Sequence, residues 1–443
     1  MELSRHNILS RVHRSDEYFL INMLSGNADI LSPGEAKRVI ENEVVHDAEF
    51  ISKGYVVDPV QEEKLFRRKY LDFLDTRDTE EIQLFFAPTY ACNFNCSYCY
   101  QEGYLQQVSS GSLEIANAFF SYIQAKFNGR KKYITLFGGE PLLPDPQNHE
   151  FLEFFVDRCR QSGLDLAVVT NGYHLVKFIP LLSRTRIREI QVTLDGPEPI
   201  HNARRPLKGG QGTFGRIEKG IDGALEAGIP VNLRVVLDRD NITSLPALAS
   251  YAIDKGWTGS PLFKTQLGRN YELHYCQSQQ ARLYSRIDLY KDLYDLIVQY
   301  PHVLQFHKPA YSISKFLFEN GELPAPLYDS CPGCKTEWAF DYTGRIFSCT
   351  ATVGKTGEEL GTFYPRVELN KEQIALWQQR DVLVIKACHA CNIRLSCGGG
   401  CASVAYNREK NLHSPDCRPV KELLELGIAL YSSIDDMQVS GNQ

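Results

Sequence analysis

Between residues 81 and 325, short runs of β-branched and aromatic residues alternate with segments whose apolar positions recur at helical spacing. The strand-like runs are Gln83 to Ala87, Tyr133 to Phe137, Leu166 to Thr170, Glu189 to Leu194, Val231 to Leu237 and Leu262 to Leu267. Helical periods fall between them over Ser112 to Phe127, His149 to Ser162, Leu175 to Ser183, Thr213 to Ala227 and Leu245 to Lys255, and a long one follows over Ser278 to Tyr300. This alternation predicts right-handed βαβ crossovers and a parallel sheet, hence an α/β fold.

The first 80 residues follow another pattern. Tyr18 to Met23 and Ala28 to Leu31 read as two strands joined by a tight turn at Gly26-Asn27, residues that tolerate positive φ. Ser32-Pro33-Gly34-Glu35 carries the signs of a helix start, with Ala36, Val39, Ile40 and Val44 following at helical spacing. Gly54 to Asp58 adds a short strand and Pro59 to Leu74 a helix, so a small α+β unit precedes the alternating region.

A chain of 443 residues, 43% hydrophobic and 23% charged, can bury a large core and divide into two or three domains. A net charge of -6 without any long Lys/Arg run excludes nucleic acid as the main partner. The polar N-terminus Met1-Glu2-Leu3-Ser4-Arg5-His6 is unlike a signal peptide, and no apolar run reaches the length of a membrane span. The expected location is cytoplasmic, with no membrane partner. Thirteen cysteines in a reducing compartment point to metal ligation rather than disulfides. Cys159 follows the apolar positions Phe151, Phe154 and Phe155 and reads as a buried structural residue; Cys276 has no assignment.

Cys92, Cys96 and Cys99 stand at C-x3-C-x2-C spacing just after the first predicted barrel strand. Three thiols can hold an iron-sulfur cube while leaving its fourth iron open. A structural zinc loop would use other spacings. The run resembles the signature of the radical S-adenosylmethionine (radical SAM) enzymes. The resemblance implies S-adenosyl-L-methionine chelated at the open iron, its cleavage by one electron, and a 5'-deoxyadenosyl radical that takes hydrogen from substrate. It also implies a partial (β/α)6 TIM-type barrel over residues 81–325, with functional groups at the carboxyl ends of the strands.

Further motifs fall at those strand ends. Gly138-Gly139-Glu140-Pro141 resembles the family motif that meets the methionine amino group: glycines let carbonyls approach an ammonium, and the carboxylate adds charge-assisted bonding. Asn171 after the third strand and Thr193 at the end of the fourth resemble positions around the ribose. Arg234 in the fifth matches an arginine that pairs the methionine carboxylate as a fork, with a rim salt bridge as the alternative. Tyr98 is expected as an apolar wall beside cluster and adenine. His201-Asn202-Ala203-Arg204-Arg205 resembles a His-Asp-x-x-Arg stretch with Asn202 in place of the acid, which puts any proton-transfer role there in doubt.

Residues 326–443 hold Cys334, Gly344, Cys349, then Cys388, Cys391, Cys397 and Cys401, and finally Cys417. This spacing resembles the C-terminal SPASM domain of radical SAM enzymes, the alternative being a pair of zinc ribbons. The resemblance implies two auxiliary 4Fe-4S clusters, one on Cys331, Cys334, Cys349 and Cys401 and one on Cys388, Cys391, Cys397 and Cys417. With the SAM-binding cluster, that makes three. The alternative leaves Cys331 off the first of these, opening an iron to a substrate thiol.

SPASM-containing relatives mostly modify peptides. The leading expectation is an enzyme that forms a thioether or carbon-carbon crosslink in a ribosomally made precursor peptide, with a flavodoxin or ferredoxin as electron donor. Residues 1–80 would either bind the peptide's leader or cap the barrel. The alternative is a formylglycine-generating, anaerobic sulfatase-maturing enzyme. In those an aspartate proton acceptor directly follows the cysteine that Cys349 matches, where this chain has Thr350, so Asp341 or another acid would have to serve. A reading of another class is a non-catalytic iron-sulfur or zinc protein that binds peptides.

Overall fold

The computed structural model describes residues 1–101, 111–269 and 282–440. Cys276 and the start of the helix expected from Ser278 lie outside them. The N-terminal strands are β1 (Glu2–Leu3), β2 (Asn7–Arg11), β3 (Tyr18–Asn22), β4 (Asn27–Leu31) and β5 (Val56–Val57), with helices α1 (Pro33–Ile40), α2 (Ala48–Ser52) and α3 (Pro59–Thr79). The expected hairpin is β3–β4, with Asn22 opposite Asn27 and Gly26 at φ 81°. It gains a third antiparallel strand, β2, while β1 pairs with β5. β2 escaped the sequence reading because its apolar residues Ile8 and Leu9 are too few to show a period. The α1 start is a full capping box: Glu35 N–H donates to the Ser32 hydroxyl, and Ser32 N–H to the Glu35 carboxylate at 2.8 Å.

Six parallel strands follow in sequence order: β6 (Ile82–Ala87), β7 (Lys132–Leu136), β8 (Leu166–Val169), β9 (Ile187–Thr193), β10 (Val231–Leu237) and β11 (Phe263–Arg269). Helices α4 (Leu113–Lys126), α5 (Pro146–Ser162), α6 (Leu175–Leu182), α7 (Glu198–Arg204), α8 (Phe214–Glu226) and α9 (Leu245–Asp254) fill the crossovers. The outer face of the sheet packs on the helices through aromatic rings, with the Phe86 ring 4.7 Å from that of Phe119 and 5.4 Å from that of Phe155. Cys159 is fully buried in this layer. The inner face is polar: Gln83 donates to Thr135, and Gln191 to Gln266.

The sheet does not stop at β11. β12 (Glu337–Asp341) adds parallel to β6 on its free edge, and β13 (Arg345–Phe347), β14 (Gly361–Thr362) and β15 (Glu368–Leu369) extend it to ten strands. The C-terminal cysteine segment is therefore continuous with the barrel through main-chain hydrogen bonds. The N-terminal unit leans on that same segment: Tyr328 OH donates to Phe66 O at 2.8 Å, Tyr70 OH to Asp381 at 2.6 Å and Asn392 to Asn7 O at 2.9 Å. The C-terminal helix Val420–Ser440 joins in, with His13 N–H on Glu425 O. Among the described residues no helix is long and apolar enough to cross a membrane.

One buried and one half-buried histidine, His6 and His307, tie folding to pH. Burial lowers His6 to about 3 and His307 to about 4. The unfolded chain binds protons to them from about pH 6.5 downward and the folded chain does not, so stability rises with pH across that window. Acidification from pH 7.5 to 5 removes about 2 kcal/mol for each. Thermal melts should show a fall in midpoint that His6→Gln and His307→Gln each reduce; an unchanged slope in the double variant contradicts this account.

Candidate cofactor site

The loop after β6 carries Cys92, Cys96 and Cys99, all half-buried. Two backbone segments grip it. On one side Gly139 N–H donates to Thr89 O and Glu140 N–H to Ala91 O. This approach needs glycine: a Cβ on Gly139 would stand 2.2 Å from Ala91 O, and one on Gly138, at φ 125°, 2.6 Å from Thr89 O. On the other side residues 204–208 run along the loop, with Asn95 N–H on Pro206 O, Ser97 N–H on Arg204 O and Lys208 N–H on Asn93 O.

Glu140 is turned inward. Its carboxylate accepts the Thr170 hydroxyl and Asn171 N–H, each at 2.6 Å, and Leu142 N–H at 2.7 Å, which joins the ends of β7 and β8. Burial raises its pKa against the opposing effect of those bonds. Gly138 and Gly139 line the cleft beside the cysteines, whereas Glu140 and Pro141 stand behind them. Pro141 O accepts Asn148 Nδ2.

Cleft and loop share one volume of about 860 Å³, within the ~300–1,000 Å³ of ligand pockets. Its walls include Cys92, Cys96, Cys99, Tyr98, Asn171, Thr193 and Arg234. Asn171 Nδ2 donates to Asn93 Oδ1 at 2.8 Å and lies 3.9 Å from Cys92 Sγ. Arg234 is level with Thr193 across β9–β10, and its Nε has no partner among the described residues. It passes over Gly268, where a Cβ would come within 3.1 Å of that Nε.

Tyr98 is more than an apolar wall. Its hydroxyl donates to Asp195 Oδ2 at 2.6 Å and accepts Arg205 Nη1 at 2.7 Å, and Arg204 lies over its ring. Arg204 Nη1 donates to both carboxylate oxygens of Asp238, at 2.8 and 2.9 Å. Arg205, buried beside Cys96, places a cation next to the thiols. The sequence marked its motif but not this role.

His201 accepts Asp195 N–H on Nδ1, so Nε2 carries the proton and donates to Thr213; this tautomer is assigned from the network. Burial holds its pKa well below the ordinary value. Asn202 Oδ1 accepts Thr213 N–H and Phe214 N–H at the start of α8. Both residues serve the fold of the loop.

The donor set of the first loop suits an iron-sulfur cluster. Burial pushes Cys92 and Cys96 up to about 11, so adjacent thiolates here call for a bound cationic centre. Phe94 N–H already points at Cys92 Sγ from 3.4 Å.

In the C-terminal segment, electrostatic neighbours sort the cysteines. Cys349 is raised by burial and then by Glu337, Cys331 and Cys401, and Cys334 by burial and Cys331. Cys388 is raised by burial and by Cys397, Cys391 and Cys417. Two groups of four result, with Cys331 in the first. Among the described residues no three His, Cys, Asp or Glu side chains converge on a single-ion site. Gly398, Gly399 and Gly400 all have positive φ, and a Cβ on Gly400 would meet Asp416 O at 2.0 Å.

Asp341 is committed elsewhere: it accepts Tyr90 OH at 2.7 Å and the amides of Thr343 and Arg345. The acid beside Thr350 is Glu337, whose Oε1 accepts Thr350 N–H at 3.0 Å and which burial raises to about 7. Sequence reasoning missed it because it comes from β12, distant in sequence from Thr350.

Residues 86–252 match the radical SAM superfamily. Among curated proteins the chain is similar to the GTP 3',8-cyclase of Nautilia profundicola, 30% identical over 173 residues, or 38% of this chain and 52% of the relative. That of Rhizobium etli is 33% identical over 171 residues, 37% of this chain and 46% of the relative. The chain spans about half the length of the curated relatives it matches. Among solved structures it is similar to anSMEcpe with bound AdoMet, with TM-score 0.63, 19% identity and coverage of 81% of this chain and 96% of that one. Streptococcus suis SuiB bound to S-adenosylmethionine gives 0.53 and 16%, covering 95% and 99%. At these identities the structures establish the shared fold.

Gly139→Ala should push Thr89–Ala91 and the attached Cys92 out of place. Anaerobically reconstituted protein should then lose about four of its irons and its response to S-adenosylmethionine. Unchanged iron and unchanged cofactor binding would contradict the role given to this contact.

Proposed function

We propose that this chain, whose residues 86–252 are a radical SAM domain, is a peptide maturase that forms a thioether or carbon-carbon crosslink in a ribosomally made precursor peptide. The observation that carries this reading is the shared cleft: Cys92, Cys96 and Cys99 line it together with Thr350 and Ala351, the neighbours of Cys349. One bound substrate can therefore face both the site of hydrogen abstraction and a cysteine group able to hold an electron acceptor. Structures of the same fold with peptides, SuiB with precursor peptide SuiA and anSMEcpe with Cp18Cys peptide, support a peptide in such a cleft.

When bound at the loop cluster, S-adenosylmethionine supplies radical hydrogen-abstraction chemistry after one-electron reduction by a flavodoxin or ferredoxin. The residues of the cleft hold and orient it. Arg234 presents an unpartnered Nε to a carboxylate, the Gly138 and Gly139 backbone lies open to an ammonium, and Thr193 and Asn171 offer groups to the ribose. Tyr98 is locked by Asp195 and Arg205 and cannot swing into the cleft. Cys331, Cys334, Cys349 and Cys401 would ligate one auxiliary cluster, and Cys388, Cys391, Cys397 and Cys417 the other. Residues 1–80 would bind the leader, the open edge of β4 accepting an added strand, with 81–325 as the barrel and 326–443 as the auxiliary-cluster unit in the cytoplasm.

One observation favours a second reading, oxidation of a cysteine or serine to formylglycine: Glu337 brings a carboxyl group to Thr350. The test is anaerobic incubation with dithionite and S-adenosylmethionine, followed by mass spectrometry of a short peptide encoded beside this protein. 5'-Deoxyadenosine should form, drop to background in Cys96→Ser, and accompany loss of two hydrogens from the peptide. Formylglycine would select the second reading, and no nucleoside release would overturn both.

A further inference from the structure

Between the two C-terminal cysteine groups lies a charged triad sealed from solvent. Arg380 is fully buried and donates to four main-chain carbonyls: Gly399 at 2.7 Å, Gly400 at 3.0 Å, Leu412 at 2.7 Å and Ser414 at 3.0 Å. These belong to the backbone between Cys397 and Cys401 and to the approach to Cys417. Its guanidinium stands 3.9 Å from the Asp329 carboxylate. Asp329 is ion-paired to Lys335 and accepts Cys331 N–H at 2.9 Å. Lys335 donates to Cys331 O and Arg380 O, both at 3.2 Å. The side chains of Lys335, Asp329 and Arg380 are 5%, 1% and 0% exposed.

Two cations and one anion leave the triad with an excess positive charge. Burying it uncompensated is costly, so a neighbouring anion is expected. The nearby acids are spent: Asp381 accepts Tyr70 OH and two amides, Asp416 faces Arg408 and Cys401 N–H, and Glu337, near Cys334 and Cys349, accepts Thr350 N–H. What remains on both sides is thiolate. Lys335 favours the charged form of Cys331 and Cys334, and Arg380 that of Cys388.

Resting on the auxiliary clusters of the proposed function, we propose that Lys335–Asp329–Arg380 is the shared counter-charge of both clusters, favouring their reduced forms so that they can accept an electron from the substrate. A four-iron cluster with four thiolates becomes more negative by one charge on taking up that electron. A fixed positive charge beside it raises its potential. Arg380 has a second, positioning role, since with the Asp416 N–H bond to Gly399 O it ties the glycine run to the chain before Cys417.

The test is an EPR-monitored redox titration of the full chain carrying Cys92→Ala, Cys96→Ala and Cys99→Ala, so that only the auxiliary clusters report, with iron counted in each sample. Lys335→Met should move the auxiliary midpoint potentials negative, Asp329→Asn should move them positive, and Lys335→Arg should restore the parent value. A merely structural triad would not give opposite signs. Shifts in one direction or no shift, with iron retained, overturn the proposal. Should Lys335→Met lose iron, the sign for Asp329→Asn decides alone. A parent that binds no cluster, against the expected eight or so irons, overturns the underlying assignment instead.

Discussion

The cysteine loop has almost no regular structure of its own, and its shape is imposed by backbone pressed against it from two sides. Gly138 and Gly139 can lie on Thr89–Ala91 only because they lack Cβ atoms. Glu140, immediately after them, welds that contact to the ends of β7 and β8 through Thr170 and Asn171. A carboxylate so buried is expensive unless it is hydrogen-bonded, and here three donors meet its two oxygens. Three thiols, two glycines and one acid therefore form a single mechanical unit at the mouth of the barrel.

From that unit the cleft gains a fixed floor and a polar interior. Arg204 and Arg205 continue the same logic on the far side, where their backbone grips the loop and their side chains pin Tyr98 and Asp195. β12 then brings the segment with Cys334 and Cys349 to the barrel edge, since its register with β6 sets Glu337 beside Gln83 and carries Thr350 to the cleft. The two cysteine-bearing segments are joined by one sheet, not by a flexible linker.

Much of this was legible before any coordinates. The six barrel strands stood out because buried parallel strands are continuous apolar runs between helical periods, and their observed limits lie within two residues of the expected ones. Cysteine spacing likewise marked the candidate ligands. What the sequence hid were contacts made across long separations. β12 reads as a brief run among cysteines, and nothing local says that it joins β6. Glu140 was expected to face a ligand, yet its oxygens are turned to the protein. Asn202 proved to cap a helix. Arg380 gave no signal at all, because its partners are carbonyl groups, which every residue has.

The claim on which the account stands is that an open iron on the Cys92, Cys96 and Cys99 loop receives S-adenosylmethionine inside this cleft. The most direct measurement is EPR of the dithionite-reduced, anaerobically reconstituted protein before and after adding the cofactor. A change in the cluster signal that disappears in Cys92→Ser, while the auxiliary signals persist, is the predicted result. A spectrum indifferent to S-adenosylmethionine, or one whose change survives that substitution, would contradict it.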